Sequence, residues 1–156
     1  MSRRNYQEGK AKRERGAFLA VPAAVLKSRN YARLSPYAVK LLLDLGSQYR
    51  GDNNGDLSAA WKLMRPRGWK SEETLHNAKQ ELLKAGFIQE MRKGQRPNKC
   101  SLYALTWLDL DLSAKYDIKP SSFQFGAWKA EEPALALLRP KQISPFTTPT
   151  VVGRAA

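Results

Sequence analysis

One histidine and one cysteine, His76 and Cys100, limit the covalent and metal chemistry open to this 156-residue chain. A nucleophilic thiol needs a neighbouring base, and a structural zinc needs four nitrogen or sulfur ligands. Neither requirement is met. The His-hydrophobe-His metal site of DNA-nicking chemistry is likewise beyond a chain with a single histidine. Gly68-Trp69-Lys70-Ser71 falls short of a phosphate loop because no glycine precedes the lysine. The Asp52 to Asp56 turn falls short of a calcium loop. Gly55 is at its fourth position, and Leu63 stands where the bidentate glutamate belongs. No Gly-x-Ser-x-Gly elbow is present. The residues therefore predict no catalytic group, no cofactor and no metal.

Charge offers a different chemistry. Lysine and arginine number 27 against 14 acidic residues, a formal net charge of +13, with a pI of about 10.1. An excess of this size points to a polyanion, nucleic acid before an anionic membrane surface. A mean hydropathy of -0.55 and the lack of an apolar run of roughly 20 residues exclude an integral membrane protein. The basic start followed by the apolar stretch Ala17 to Leu26 imitates a secretory leader. Pro22, the diluting Glu8 and Glu14, and the missing small-x-small exit argue against one. With no disulfide framework to build, a cytoplasmic location is expected.

The elements that must position these charges follow from punctuation and period. Residues 1–16 form a polar basic arm, read as disordered until it meets a partner, with Arg3, Arg4, Lys10, Lys12, Arg13 and Arg15 as its cations. Residues 17–108 carry fifteen basic and seven acidic residues and read as one folded domain. Within it, Ser35-Pro36 is a cap and first-turn pair, and Ala38, Leu41, Leu42, Leu45 and Tyr49 recur at helical spacing. A second short helix follows over Ala59 to Met64, stopped by Pro66 and Gly68. Ser71 caps a third, with Leu75, Ala78, Leu82 and Ala85 as its apolar stripe and Gly86 as its end. The period then changes. Phe87 to Arg92 and Cys100 to Trp107 flank the tip Lys93 to Lys99 and read as a hairpin. Residues 109–156 hold five of the nine prolines and read as an extended Pro-rich tail, partly docked or disordered.

The predicted fold is thus mainly α with a small β-hairpin wing, an α+β winged helix-turn-helix. Three stretches carry a resemblance to the winged-helix proteins of bacterial plasmids, phages and integrated elements. They are Asn54-Gly55-Asp56-Leu57-Ser58, the start Ser71-x-x-Thr74-Leu75, and Glu81-Leu82-Leu83-Lys84-Ala85-Gly86-Phe87-Ile88. The run from Val21-Pro22 to Leu34-Ser35 is similar to the segment before the first helix in replication-type members. The resemblance implies that the third helix enters the major groove, making Ser71, Glu72, Glu73, Thr74, His76 and Asn77 the groove-facing candidates. It also implies that the duplex backbone passes the turn bearing Arg65, Arg67 and Lys70. Glu72-Glu73 departs from the polar or basic residues that related domains place there.

Each candidate has two physical meanings. Asn77 can bond adenine bidentately and a glutamate can accept from cytosine N4, whereas Glu72 and Glu73 also suit the positive end of a helix dipole. Arg92, Lys93, Arg96 and Lys99 at the hairpin can hold phosphates or simply blunt a sheet edge. Trp61, Trp69 and Trp107 each lie beside an apolar periodic segment and fit core or rim packing, and Trp69, between Arg67 and Lys70, is the one whose neighbours would also suit base stacking. Phe123, Phe125 and Trp128 in the tail either dock on their own domain, with Leu135 to Leu138 following, or capture a protein partner. The expected function is sequence-specific or shape-selective binding of double-stranded DNA, as a transcriptional regulator or replication-associated factor of a mobile element. The alternatives are a protein-interaction adaptor tethered to DNA by its basic surfaces and a structured-RNA-binding module. A homodimer is left open.

Overall fold

Ser28 joins two single-turn helices, α1 (Ala23–Leu26) and α2 (Arg29–Ala32). Its hydroxyl donates to the Val25 carbonyl at 2.7 Å and accepts from the Tyr31 N–H at 3.1 Å, so one side chain ends the first turn and caps the second. The computed structural model describes residues 16–130. The arm cations Arg3, Arg4, Lys10, Lys12, Arg13 and Arg15, and the tail run Leu135 to Leu138, lie outside the described residues.

Helix α3 spans Pro36–Gly46 and begins as its residue types dictate. Ser35 Oγ accepts from the Ala38 N–H at 3.2 Å, and Pro36 fills a first-turn position that needs no N–H. The second helix is shorter than expected. Helix α4 covers only Trp61–Met64 and continues as a 3-10 turn, Arg65–Arg67, that accommodates Pro66 near its start. The residues before it are extended, because Leu57 pairs with Tyr103 through N–H to O contacts of 3.2 and 2.8 Å. Helix α5, Glu72–Lys84, is the longest. Ser71 caps it by accepting from the Thr74 N–H at 3.3 Å. At its other end Gly86 adopts φ +77°, with its N–H on Leu83 O and the Phe87 N–H on Leu82 O. That pair of bonds is the Schellman arrangement, which glycine adopts without a Cβ clash.

Strands β1 (Ile88–Arg92) and β2 (Leu102–Leu105) pair antiparallel, Ile88 opposite Leu105, with a bulge between Glu90 and Arg92. A Gln95 to Lys99 bridge closes the tip. Helix α3 packs on α5 over the hairpin base, and Leu41, Leu45, Leu57, Met64, Leu82, Phe87 and Leu105 are all inaccessible to solvent. The described chain is therefore an α+β fold of short helices around one two-stranded hairpin. Among the described residues no helix is long and apolar enough to cross a membrane.

The packed unit extends past residue 108. Residues 109–130 form a strap along the free edge of β1, through Asp117 N–H to Met91 O (3.0 Å) and the Gln89 side chain, which bonds Ser122 O and the Gln124 N–H. The strap ends under α2, where Asn30 Nδ2 donates to the carbonyls of Trp128 and Ala130. Of the two alternatives for Phe123, Phe125 and Trp128, the structure favours docking on their own domain. Trp128 is buried against its own domain and Phe123 is half-buried, leaving Phe125 exposed.

Candidate nucleic-acid interface

Helix α5 divides its residues sharply. Leu75, Ala78 and Leu82 face the core, while Glu72, Glu73, His76, Asn77 and Gln80 form an exposed polar ridge. Ser71 and Thr74 are half-buried, and the Ser71 hydroxyl is engaged in the cap. The expected groove-facing set therefore lies on one helix start, with Ser71 and Thr74 at its shoulder.

Two hollows border the ridge. On one side Glu72, His76 and Lys79 line a cleft of about 300 Å³ against Trp61, Ser101 and Tyr103, where the returning strand of the hairpin, just past its tip, meets the start of α4. Burial pushes the Tyr103 hydroxyl up to about 12, and the nearby Glu90 carboxylate, 3.4 Å away, acts in the same direction. It is a neutral hydrogen-bonding group at physiological pH. On the other side, Lys70, Ser71 and Thr74 border a smaller hollow of about 190 Å³ with Tyr37 and Lys40 of α3.

The turn before α5 is organised by an acid that the charge reading did not single out. Asp44, buried on α3, accepts from Lys40 Nζ (2.7 Å), Arg67 Nε (2.9 Å) and Trp69 Nε1 (2.8 Å). Burial alone would raise its pKa. The bonds from Lys40, Trp69 and Arg67 outweigh that and hold it below the ordinary carboxylate value. Two of the residues singled out in the sequence, Arg67 and Trp69, are engaged by this acid. Arg67 is drawn into the ion pair and also donates to Ser47 Oγ at 2.7 Å, so two nitrogens of its partly exposed guanidinium are already engaged within the fold. Trp69 is 4% exposed, which agrees with its reading as a packing residue and leaves no open face for base stacking. Its apolar ring is covered by Tyr37 and Lys40, and its one polar atom is satisfied by Asp44. Asp44 was detectable as a carboxylate three residues after Leu41, on the apolar face of its helix.

Arg65 and Lys70 remain exposed in the same turn. At the hairpin, Arg92 donates to the Cys100 carbonyl at 2.9 and 3.1 Å, and Lys99 pairs with Asp117 at 3.2 Å. The side chains of Lys93 and Arg96 are exposed and make neither contact. Of the seven turn and hairpin cations, then, four are uncommitted among the described residues: Arg65, Lys70, Lys93 and Arg96.

Asn54 and Glu81, from two further stretches that carried the resemblance, tie the fold together. Asn54 is wholly buried. Its Oδ1 accepts from the Leu105 N–H at 2.7 Å, and its Nδ2 donates to the carbonyls of Leu105, Leu108 and Asp109. Glu81 receives the Ser35 N–H and hydroxyl, each at 2.6 Å, tying α5 to the start of α3. No protein-family model matches the chain, and comparison with curated proteins and with solved structures likewise gives no match.

Proposed function

We propose that this chain binds double-stranded DNA as a winged helix-turn-helix protein, with α4 and α5 as the helix pair and the β1–β2 hairpin as the wing. The observation that carries the reading is the position of the four uncommitted cations. Arg65 and Lys70 lie on the segment entering α5, and Lys93 and Arg96 lie on the hairpin whose returning strand borders the cleft beside that helix. The polar ridge between them is free of internal bonds at Glu73, His76 and Asn77. Such an arrangement suits a duplex, because phosphates on both sides of a groove meet cations while the groove floor meets hydrogen-bonding side chains.

Phosphate contacts then supply most of the affinity and its salt dependence. Selection falls to Asn77 and its neighbours, aided by duplex shape. Glu72 and Glu73 oppose phosphate and favour the helix dipole, which restrains nonspecific binding. The role as a regulator or replication-associated factor of a mobile element rests on the sequence resemblance.

Competition among duplex DNA, single-stranded DNA and double-stranded RNA at fixed salt tests the reading. Duplex DNA should compete best, and log affinity should fall with log salt by about 0.9 per phosphate engaged. Preference for double-stranded RNA would replace the reading with shape recognition of RNA. Absence of binding to all three at low salt would overturn it.

A further inference from the structure

Resting on that duplex-binding reading, we propose that Asp117 is a positioning residue for the hairpin. It fixes the hairpin's attitude and withholds the charge of Lys99 from phosphate. One carboxylate grips both limbs of the hairpin. Its Oδ2 accepts from the Lys93 backbone N–H at 3.0 Å on the outgoing limb, and its Oδ1 meets Lys99 Nζ at 3.2 Å on the returning limb. Asp117 itself is fixed by its own N–H on Met91 O at 3.0 Å. The strap carrying it is anchored before it, where the Asp111 carboxylate accepts from the Asn54 N–H at 2.7 Å and the Tyr116 hydroxyl donates to the chain at Asn54 and Asp111. It is anchored after it by Gly126 N–H on Thr106 O at 2.7 Å.

A hairpin tip without this grip would pivot on two short strands. Holding the Lys93 amide sets where the Lys93 and Arg96 side chains start from, so fewer conformations are lost when they meet phosphate. The Lys99 pair is different in kind. Both partners are about 40% exposed, and an exposed pair of this sort is weak and screened by salt. A phosphate that meets Lys99 competes with Asp117 for its charge, and the contact releases less than the binding of a free lysine would. The hairpin thus presents two open cations and keeps a third in partial reserve, which limits attachment to arbitrary duplex.

Salt titrations of the full chain on one duplex test this with Asp117→Asn, Lys99→Gln and the double variant. Asp117→Asn removes the charge but keeps an acceptor for the Lys93 N–H. It should bind several-fold more tightly at low salt, with the log-log slope steeper by up to about 0.9. Lys99→Gln should cost more in the Asp117→Asn background than in the wild type. Additive effects, or an unchanged slope for Asp117→Asn, would overturn the withheld charge while leaving duplex binding intact. Amide exchange of Lys93 in the free protein reads the positioning role without DNA. It should stay slow in wild type and Asp117→Asn and become fast in Asp117→Ala, and equal rates in all three would overturn that role. Failure of the wild type to bind any duplex would defeat the duplex-binding reading itself and take the withheld charge with it.

Discussion

Buried polar side chains with several partners carry disproportionate weight in so small a core, and Asn54 is the extreme case here. Every hydrogen-bonding atom of its amide is used, and it ties the turn after α3 to the end of β2 and the start of the strap. Asn54→Ala deprives the buried Leu105 N–H of its acceptor, whereas the carbonyl of exposed Asp109 can turn to water and that of Leu105 keeps the Leu108 N–H. One unsatisfied buried group costs about 1–3 kcal/mol, and a loss of that size is expected by denaturant titration. A change within about 0.5 kcal/mol, the range of surface sites, would show that the amide is dispensable. Asp44 makes a pH-dependent contribution of definite sign. Its folded pKa is depressed below 3.8, so its stabilising effect is present above that value and is lost as pH falls through the folded pKa. The stability gap between wild type and Asp44→Asn should therefore hold steady at neutral pH and narrow on acidification below about 4. A gap independent of pH down to strong acid would exclude ionised Asp44 as the source. Neither residue could be weighted from the chain alone, because a sequence shows an asparagine in a turn and an aspartate in a helix but not what surrounds them.

Among the elements, α5 is the one whose ends and faces were both readable. Ser71 and Gly86 cap it where expected, and its apolar stripe is the buried one. The reason is local: caps and periodicity act within a few residues and need no distant partner. Gly86 carries a further demand, since a Cβ there would stand 2.6 Å from the Ala127 carbonyl oxygen of the strap. Gly86→Ala thus meets both a left-handed φ and a backbone clash. It should cost clearly more than the roughly 1 kcal/mol of the conformational term alone, and it should raise the exposure of Trp128, read by its fluorescence. A stable variant with unchanged fluorescence would mean that the strap is not seated on the helix end. The opposite case is α4, read as running from Ala59. Leu57 is recruited by Tyr103, forty-six residues later in the chain, and that pairing keeps the preceding segment extended.

For the whole molecule, the net charge of +13 is an argument about partners, not about fold. What the fold adds is a division of labour among cations that are equivalent in composition. Arg96→Ala on the hairpin should weaken binding to specific and scrambled duplexes about equally and reduce the salt slope by about one unit. Asn77→Ala on the α5 ridge should instead lose about 1–3 kcal/mol on the preferred site and little elsewhere. Measuring both variants on both duplexes by fluorescence anisotropy separates the roles. Equal losses on both duplexes for Asn77→Ala would remove base selection from α5.

The chain by itself determined the helix starts at Ser35 and Ser71, the helix end at Gly86, the hairpin around Lys93 to Lys99 and the basic character of its surfaces. All of these follow from steric preference, hydrogen-bonding reach of a few residues, or charge, which are properties of neighbours along the chain. Tertiary structure alone decided which cations are free. Arg67 and Lys99 carry the same charge as Arg65 and Arg96, yet Asp44 lies 23 residues from Arg67 and Asp117 lies 18 from Lys99. Tertiary structure likewise turned Trp69 inward and seated Trp128. An ion pair or an indole seat depends on groups meeting in space, and the side chain that completes it is specified by the packing of α3, the hairpin and the strap rather than by the residues beside it.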